Sequence, residues 1–321
     1  MENKYDKQYM NNTKVFRVIG TKDISINERS DESKFEVAIK DNVFNLVDLW
    51  SDPCITFTQK VDQFDMVVMD AVYTITMSGA KTITLEGIAK VLSGNDKKRP
   101  TKKQLDRIRE SVEKLRYIHV YIDFSNEMSS RKKCNNPDGI TILGYDSCLL
   151  PLDKIDAKYS SNGKDLTAYP IRDVSALYRY AEAVGQIIDV PKKLLETQDY
   201  FSDTNEAILI KRYVIKRVAQ IMNNKNNLGS SKISYLWYES NGEARGLFAE
   251  LGYKPDNTES WKNTKKKIHK IVKDTLEYLK EIGVIVDFKI YRKGDSNNPA
   301  DPIMGFKIKY NDIGLITSEN K

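Results

Sequence analysis

His119 and His269 are the only histidines in the 321-residue chain, so metal-assisted or nucleophilic chemistry would have to be built around them. A tyrosine that cleaves a phosphodiester commonly works beside a metal held by a His-x-His pair, and no such pair exists here. One histidine falls in a β-rich run and the other in a helical pattern, which reads as packing or surface use. Asp123 and Asp287 offer two carboxylates, but they occupy equivalent positions in two copies of a repeat, and that equivalence suggests a shared structural role. Asp62, Asp65 and Asp70 stand at the start of a helical pattern, where capping and dipole complementation account for them. LGSSKIS (228–234) lacks the glycine and lysine spacing of a phosphate loop. Cys54, Cys134 and Cys148 have no Cys-x-x-Cys spacing and are odd in number, as expected for reduced cytosolic thiols, although Cys134 and Cys148 could face each other across one hairpin. No catalytic constellation emerges, no metal or cofactor is expected, and the chain reads as a non-enzyme.

The chemistry that remains is electrostatic. The net charge of +6 is modest, but the basic residues are clustered. One cluster holds Lys98, Arg99, Lys102, Lys103 and Arg107, with Gln104 among them. A second holds Lys265, Lys266, Lys267 and Lys270, flanked by Lys262 and Lys273, with no acidic residue from 262 to 273 and with Asn263 inside it. Two loops add to these. RKKCNNPD (131–138) contributes Arg131, Lys132 and Lys133, and RKGDSNNPAD (292–301) contributes Arg292 and Lys293. Arginine, asparagine and glutamine are the residue types that read guanine and adenine, so Gln104, Arg107 and Asn263 are the candidate base readers. The lysines are candidate phosphate contacts.

The elements that must position these residues recur. TKKQLDRIRESVEKLRYIHVYIDF (101–124) lies over KKKIHKIVKDTLEYLKEIGVIVDF (265–288) without gaps. Ile108, Val112, Leu115 and Ile118 fall on Val272, Leu276, Leu279 and Ile282, and this three-and-four spacing describes one buried helix face. Each helix runs into a β-rich stretch, one of the Asn-Asn-Pro loops and a second β-rich stretch, which predicts a hairpin with a polar tip. Upstream, 64–79 and 205–224 are long apolar-periodic helices. KTIT (81–84) and SKIS (231–234) are strand-like, and LEGIAKVL (85–92) and YLWYES (235–240) are read as short helices. Helix, short strand, helix, helix, two-stranded wing is the order of a winged helix-turn-helix domain. In that geometry the N-terminal part of the third helix enters the major groove and its dipole favours phosphate.

The expected fold is therefore α+β and mainly helical, with two tandem winged helix-turn-helix domains joined by a helical connector. The boundaries are a partly disordered N-terminal arm over 1–59, a first winged domain over 60–155 and a connector over 156–199. A second winged domain follows over 200–312, interrupted by an insertion at 241–260, and 313–321 is a C-terminal tail. FNLVDLW (44–50) is read as core or helix. No run approaches the roughly 18 apolar residues of a membrane span, and the N-terminus lacks a secretory h-region, so a cytoplasmic protein without membrane contact is expected.

DQFDMVVMDAVYTITMSGAKTITLEGIAKVL followed by DRIRESVEKLRYIHVYIDF resembles the plasmid replication initiators of the RepE and TrfA type, a likeness of pattern that extends more loosely over about residues 60–312. The resemblance implies a sequence-specific protein that binds repeated origin sequences in double-stranded DNA. It further implies origin bending or opening, recruitment of host helicase machinery and homodimerisation through the N-terminal winged helix. It makes the Lys265–Lys273 helix the primary reader. A winged-helix transcriptional repressor, or a protein-interaction module without DNA binding, stays open beside it, since winged helices serve several tasks.

Overall fold

The computed structural model describes residues 7–13, 16, 27–28, 34–39, 42–48, 61–93, 99–123, 144–158, 165–196, 199–223, 232–239, 246–251, 253 and 258–310. It is an α+β protein with small antiparallel sheets, and it divides into two compact units, Met1–Ile188 and Asp189–Lys321. Among the described residues, no helix is long and apolar enough to cross a membrane.

The elements of the first unit are, in chain order, β1 (Lys7–Asn11), β2 (Asn27–Glu28), β3 (Lys34–Ile39), β4 (Asn42–Asp48), α1 (Gln63–Met77), β5 (Thr82–Thr84) and α2 (Leu85–Ser93). There follow α3 (Lys102–Tyr117), β6 (Ile118–Asp123), β7 (Gly144–Cys148), β8 (Ile155–Lys158), β9 (Asp165–Pro170) and α4 (Ala176–Ala183). α1 is apolar on nearly every side and is buried from Gln63 to Ile75, so it forms the centre of the unit. Its start is set by a capping box between Asp62 and Asp65. Ile88, Leu92, Ile108, Val112 and Leu115 bring the apolar faces of α2 and α3 into the same core. A buried polar group needs partners, and Asp70 on α1 has them: its Oδ1 accepts from the Asn11 N–H (2.9 Å) and the Tyr178 hydroxyl (2.7 Å).

Three segments differ from expectation in this unit. β1, inside the segment expected as an arm, packs Gln8, Met10 and Asn11 into the interior, and the Asn11 amide donates to the Leu177 carbonyl (3.0 Å). The 44–50 stretch, expected as core or helix, largely falls in strand β4, which joins a five-stranded sheet of order β2-β3-β4-β6-β7. The short strand β5 pairs with β9 of the expected connector, Ile83 opposite Tyr169, in a separate three-stranded sheet. The 166–171 stretch thus completes the first unit. Cys148 is buried opposite His119 in the β6–β7 pair, while Cys134 lies outside the described residues.

β10 (Ile187–Pro191) leads into the second unit, which holds α5 (Lys192–Leu195), α6 (Asn205–Asn223), β11 (Ile233–Trp237), α7 (Leu247–Glu250), α8 (Glu259–Glu281), β12 (Ile285–Arg292) and β13 (Ile303–Tyr310). The last two strands form a hairpin whose tip is a 3-10 turn at Lys293–Asp295, and β11 completes an antiparallel sheet of order β11-β13-β12. YLWYES, expected as a short helix, begins as strand, with Tyr235, Leu236 and Trp237 in β11. The short helix comes later, at Leu247–Glu250, inside the segment expected as an insertion. The reason is periodicity, since ISYLW alternates Ser234 and Leu236 inward with Ile233, Tyr235 and Trp237 outward. Leu236 meets Phe306, and Ser234 meets Ile308, on the inner face. Gly305 has φ +146°, and a Cβ there would stand 2.0 Å from the Leu236 carbonyl oxygen, so only glycine fits.

Candidate nucleic-acid interface

α8 begins where Thr258 caps it, its hydroxyl accepting from the Trp261 N–H (3.1 Å). Trp261, Ile268, Val272, Leu276 and Leu279 then form the stripe that fixes its rotation about its own axis. His269 adds a polar anchor: its ring stacks on Phe306 with centroids 5.0 Å apart, and its Nδ1 lies 2.7 Å from the Tyr238 hydroxyl. Burial, assisted by Lys273 and Arg292, holds the imidazole below its usual pKa, and burial pushes the Tyr238 phenol up. The neutral imidazole and the phenol thus share one hydrogen bond, whose donor is set by the ring tautomer.

With the rotation fixed, the outward face of the first four turns carries Lys262, Asn263, Lys266, Lys270 and Lys273, all exposed. Lys266 and Lys270 have no acidic partner among the described residues, whereas Lys262 reaches Glu259 and Lys273 reaches Glu277 only across exposed 3.3 Å pairs. Two of the expected contacts differ from the rest. Lys265 lies near the apolar stripe and is half-buried, and Lys267 is engaged by Glu206 of α6. On the hairpin, the Arg292 guanidinium donates to the Asp301 carbonyl (2.5 Å) and so braces the tip, while Lys293 stays exposed in the turn that Gly294 makes at φ 71°.

α3 has the matching position in the first unit and a different surface. Thr101 and Gln104 form a reciprocal capping box, the Gln104 side chain accepting from the Thr101 N–H (2.8 Å), so this candidate base reader is used at its own helix end. Arg107 lies over the Phe64 ring, 4.0 Å from its centroid. Lys114 reaches the buried Asp65, which also accepts from Ser111 (2.7 Å); burial nevertheless keeps the Asp65 carboxyl above the usual range. Arg109 pairs with Asp106 and Arg116 with Glu113, each at 2.8 Å. Glu113 also accepts from Tyr169 (2.9 Å). Arg99, Lys102 and Lys103 remain exposed at the start. Lys98 and the first hairpin's Arg131, Lys132 and Lys133 lie outside the described residues.

Sequence reasoning had Lys262 and Lys273 in view but did not select them, because a charge run alone does not give helix rotation. It missed the outer face of the second unit's sheet altogether, where Tyr235, Trp237 and Tyr291 cluster beside Lys289, Lys307 and Lys309. The alternation in ISYLW and FKIKY was the available signal. Among the described residues no group of His, Cys, Asp and Glu is placed to hold a metal.

No family model matches the chain, and no curated protein matches it. Crystal structures of domains 2 and 3 of RctB are similar along its length, one at 12% identity with a TM-score of 0.42 and another at 10% with 0.44. Each alignment covers 92% of this chain and 96% of the other. Likeness at that level is too weak to bear on function.

Proposed function

We propose that the second unit is a winged helix that binds double-stranded DNA, with α8 as the recognition helix and the β12–β13 hairpin as the wing. The observation that carries this reading is the uninterrupted basic face of α8, Lys262, Lys266, Lys270 and Lys273 around Asn263, over the first four turns of a helix that leads into a hairpin. Lysines at that spacing meet phosphates, the helix N-terminus adds its own positive potential, and Asn263 is the side chain suited to adenine. Lys265 and Lys267 support the helix and its neighbour α6, and Arg292 shapes the wing. Lys293 is the wing's phosphate contact.

The first unit is a second winged helix, with the change of unit falling inside the 156–199 connector. Its contacts are Arg99, Lys102 and Lys103, together with Lys98, Arg131, Lys132 and Lys133, which lie outside the described residues. The sequence resemblance makes the bound DNA a set of origin repeats and the task initiation of plasmid replication, with the host helicase machinery recruited to an opened origin. Footprinting on the DNA that flanks the coding sequence tests this. Protection of short tandem direct repeats beside an A·T-rich stretch is expected. A single protected palindrome would assign a repressor instead, and no protection at all would leave only a protein-binding role.

A further inference from the structure

The outer face of the second unit's sheet carries a group of side chains that duplex binding by α8 does not use. Register places three rows across β11, β13 and β12. Trp237, Gly305 and Tyr291 form one; Tyr235, Lys307 and Lys289 form the next; Ile233, Lys309 and Asp287 form the third. Because Gly305 has no side chain, the rings on either side of it meet across the middle strand. Trp237 and Tyr291 stand perpendicular at 5.1 Å, Tyr235 stacks on Trp237 at 5.1 Å and 17°, and Tyr235 meets Tyr291 edge-on at 5.1 Å. All three rings are half-buried, so part of each aromatic surface is left to solvent. Lys307 lies 5.9 Å from the Tyr235 centroid and reaches Asp295 across a surface pair of 3.3 Å, and Lys289 and Lys309 are exposed on the same face.

Nothing in the packing of α8 requires this cluster, because the inner face already meets the helices through Leu236, Phe288, Phe306 and Ile308. Three rings fixed by mutual contact and bordered by three ammonium groups match one kind of partner well. Unpaired bases present flat π surfaces, and their connecting phosphates present a negative charge at each step. A base-paired duplex cannot use such a face, since its bases are stacked inward. An apolar peptide would not use the lysines.

We propose that the outer face of the β11-β13-β12 sheet binds a single DNA strand, with Trp237, Tyr235 and Tyr291 as the stacking platform and Lys289, Lys307 and Lys309 as its phosphate contacts. This rests on the DNA-binding reading above and extends it: one unit would hold duplex on its recognition helix and an opened strand on its sheet.

The test uses the full-length protein, fluorescently labelled dT15, an abasic deoxyribose-phosphate strand of the same length, rU15 and a hairpin duplex. Binding of dT15 by wild type, at least tenfold weaker for the abasic strand, is expected. Trp237→Leu keeps apolar volume at the site and should weaken dT15 binding by about tenfold, the scale of one lost base stack, with duplex binding unchanged within twofold. Lys289→Gln combined with Lys309→Gln lies wholly on the surface and should weaken dT15 by a similar factor, so the conclusion survives if Trp237→Leu folds poorly. Equal binding of dT15 and the abasic strand, tighter binding of rU15, or unchanged dT15 affinity in both variants would overturn the proposal. Failure of wild type to bind any duplex would overturn the duplex reading while leaving the strand arms readable.

Discussion

In α3, Arg107 lies on a phenylalanine ring, Lys114 enters the interior to meet Asp65, and Arg109 and Arg116 close onto carboxylates of their own helix. In α8, Lys262, Lys266, Lys270 and Lys273 point away from the core. The two helices nevertheless carry the same net charge, with six basic and three acidic residues in α3 and seven and four in α8. Total charge therefore does not separate them. Placement does, since Asp106 stands where the ungapped repeat puts Lys270, whereas Glu110 and Glu113 have acidic counterparts in Asp274 and Glu277. Internal ion pairs rigidify a helix, and exposed lysines with at most a weak surface pair are left for a partner. Beyond the exposed Lys102 and Lys103 at its start, α3 uses its cations for the fold, while α8 presents four along one face.

That contrast can be broken most forcefully at Lys114. Replacing it with Met leaves Asp65 buried beside Asp62 and without its cation, and removing one member of a buried pair costs roughly 3 kcal/mol or more. The loss should be largest near neutral pH and shrink under acid, because a carboxyl whose folded pKa is raised regains stability when it binds its proton. Urea unfolding of the full chain at pH 7 and pH 5 measures it. A loss below about 1 kcal/mol at pH 7 would mean that α3's cations are not structural in this sense.

A smaller effect is expected on the wing. Lys293→Ala removes one exposed charge and should weaken duplex binding about fivefold near 0.15 M salt, by the same factor for an origin fragment and for scrambled DNA, since one phosphate contact changes the salt slope by about 0.9. Paired titrations at matched ionic strength would show this. A loss confined to the origin fragment would make the hairpin a reader of sequence or groove width. Arg292 is a poorer target, because its bond to the Asp301 carbonyl ties any loss of binding to a loss of hairpin shape.

The smallest expected effect concerns His269. Its folded pKa lies below the unfolded value near 6.5, so the unfolded chain takes up a proton first as pH falls. Stability should therefore fall below about pH 6.5, with a slope no steeper than about 1.4 kcal/mol per pH unit for this one proton, and His269→Gln should flatten that part of the profile. Identical profiles for the two proteins between pH 7 and 5 would remove His269 from the account of how α8 is held.

The helices were legible in the sequence because long apolar periodicities leave few alternatives. The 64–79 and 205–224 patterns correspond to α1 and α6, and the aligned stripes of 101–124 and 265–288 to α3 and α8. The pairing of short strands was less legible. KTIT looks like SKIS, yet β5 pairs with β9 while β11 pairs with its own hairpin, and no local pattern selects between those partners. YLWYES was misread because a six-residue run allows a helical as well as an alternating reading, and the resulting helix hid the shared face of Tyr235 and Trp237. At the candidate interface the cations themselves were visible, but their use was not. Lys114 and Lys267 look like any other lysine until Asp65 and Glu206, distant in sequence, arrive beside them.

The salt dependence of duplex affinity tests the central claim, that α8 rather than α3 is the principal DNA-binding helix, most directly. Fluorescence titrations from 50 to 200 mM salt would compare wild type with the Lys262, Lys266 and Lys270 triple alanine variant and with an Arg99, Lys102 and Lys103 triple alanine variant. Three lost phosphate contacts should flatten the slope of log affinity against log salt by about 3 and lower affinity roughly 100-fold near 0.15 M for the α8 variant. The α3 variant should lose less affinity and less slope than the α8 variant, because Asp106 stands where α8 carries Lys270 and fewer of the cations at the start of α3 then meet phosphate at once. Equal losses for the two variants, or an α8 variant that binds like wild type, would contradict the division between the helices.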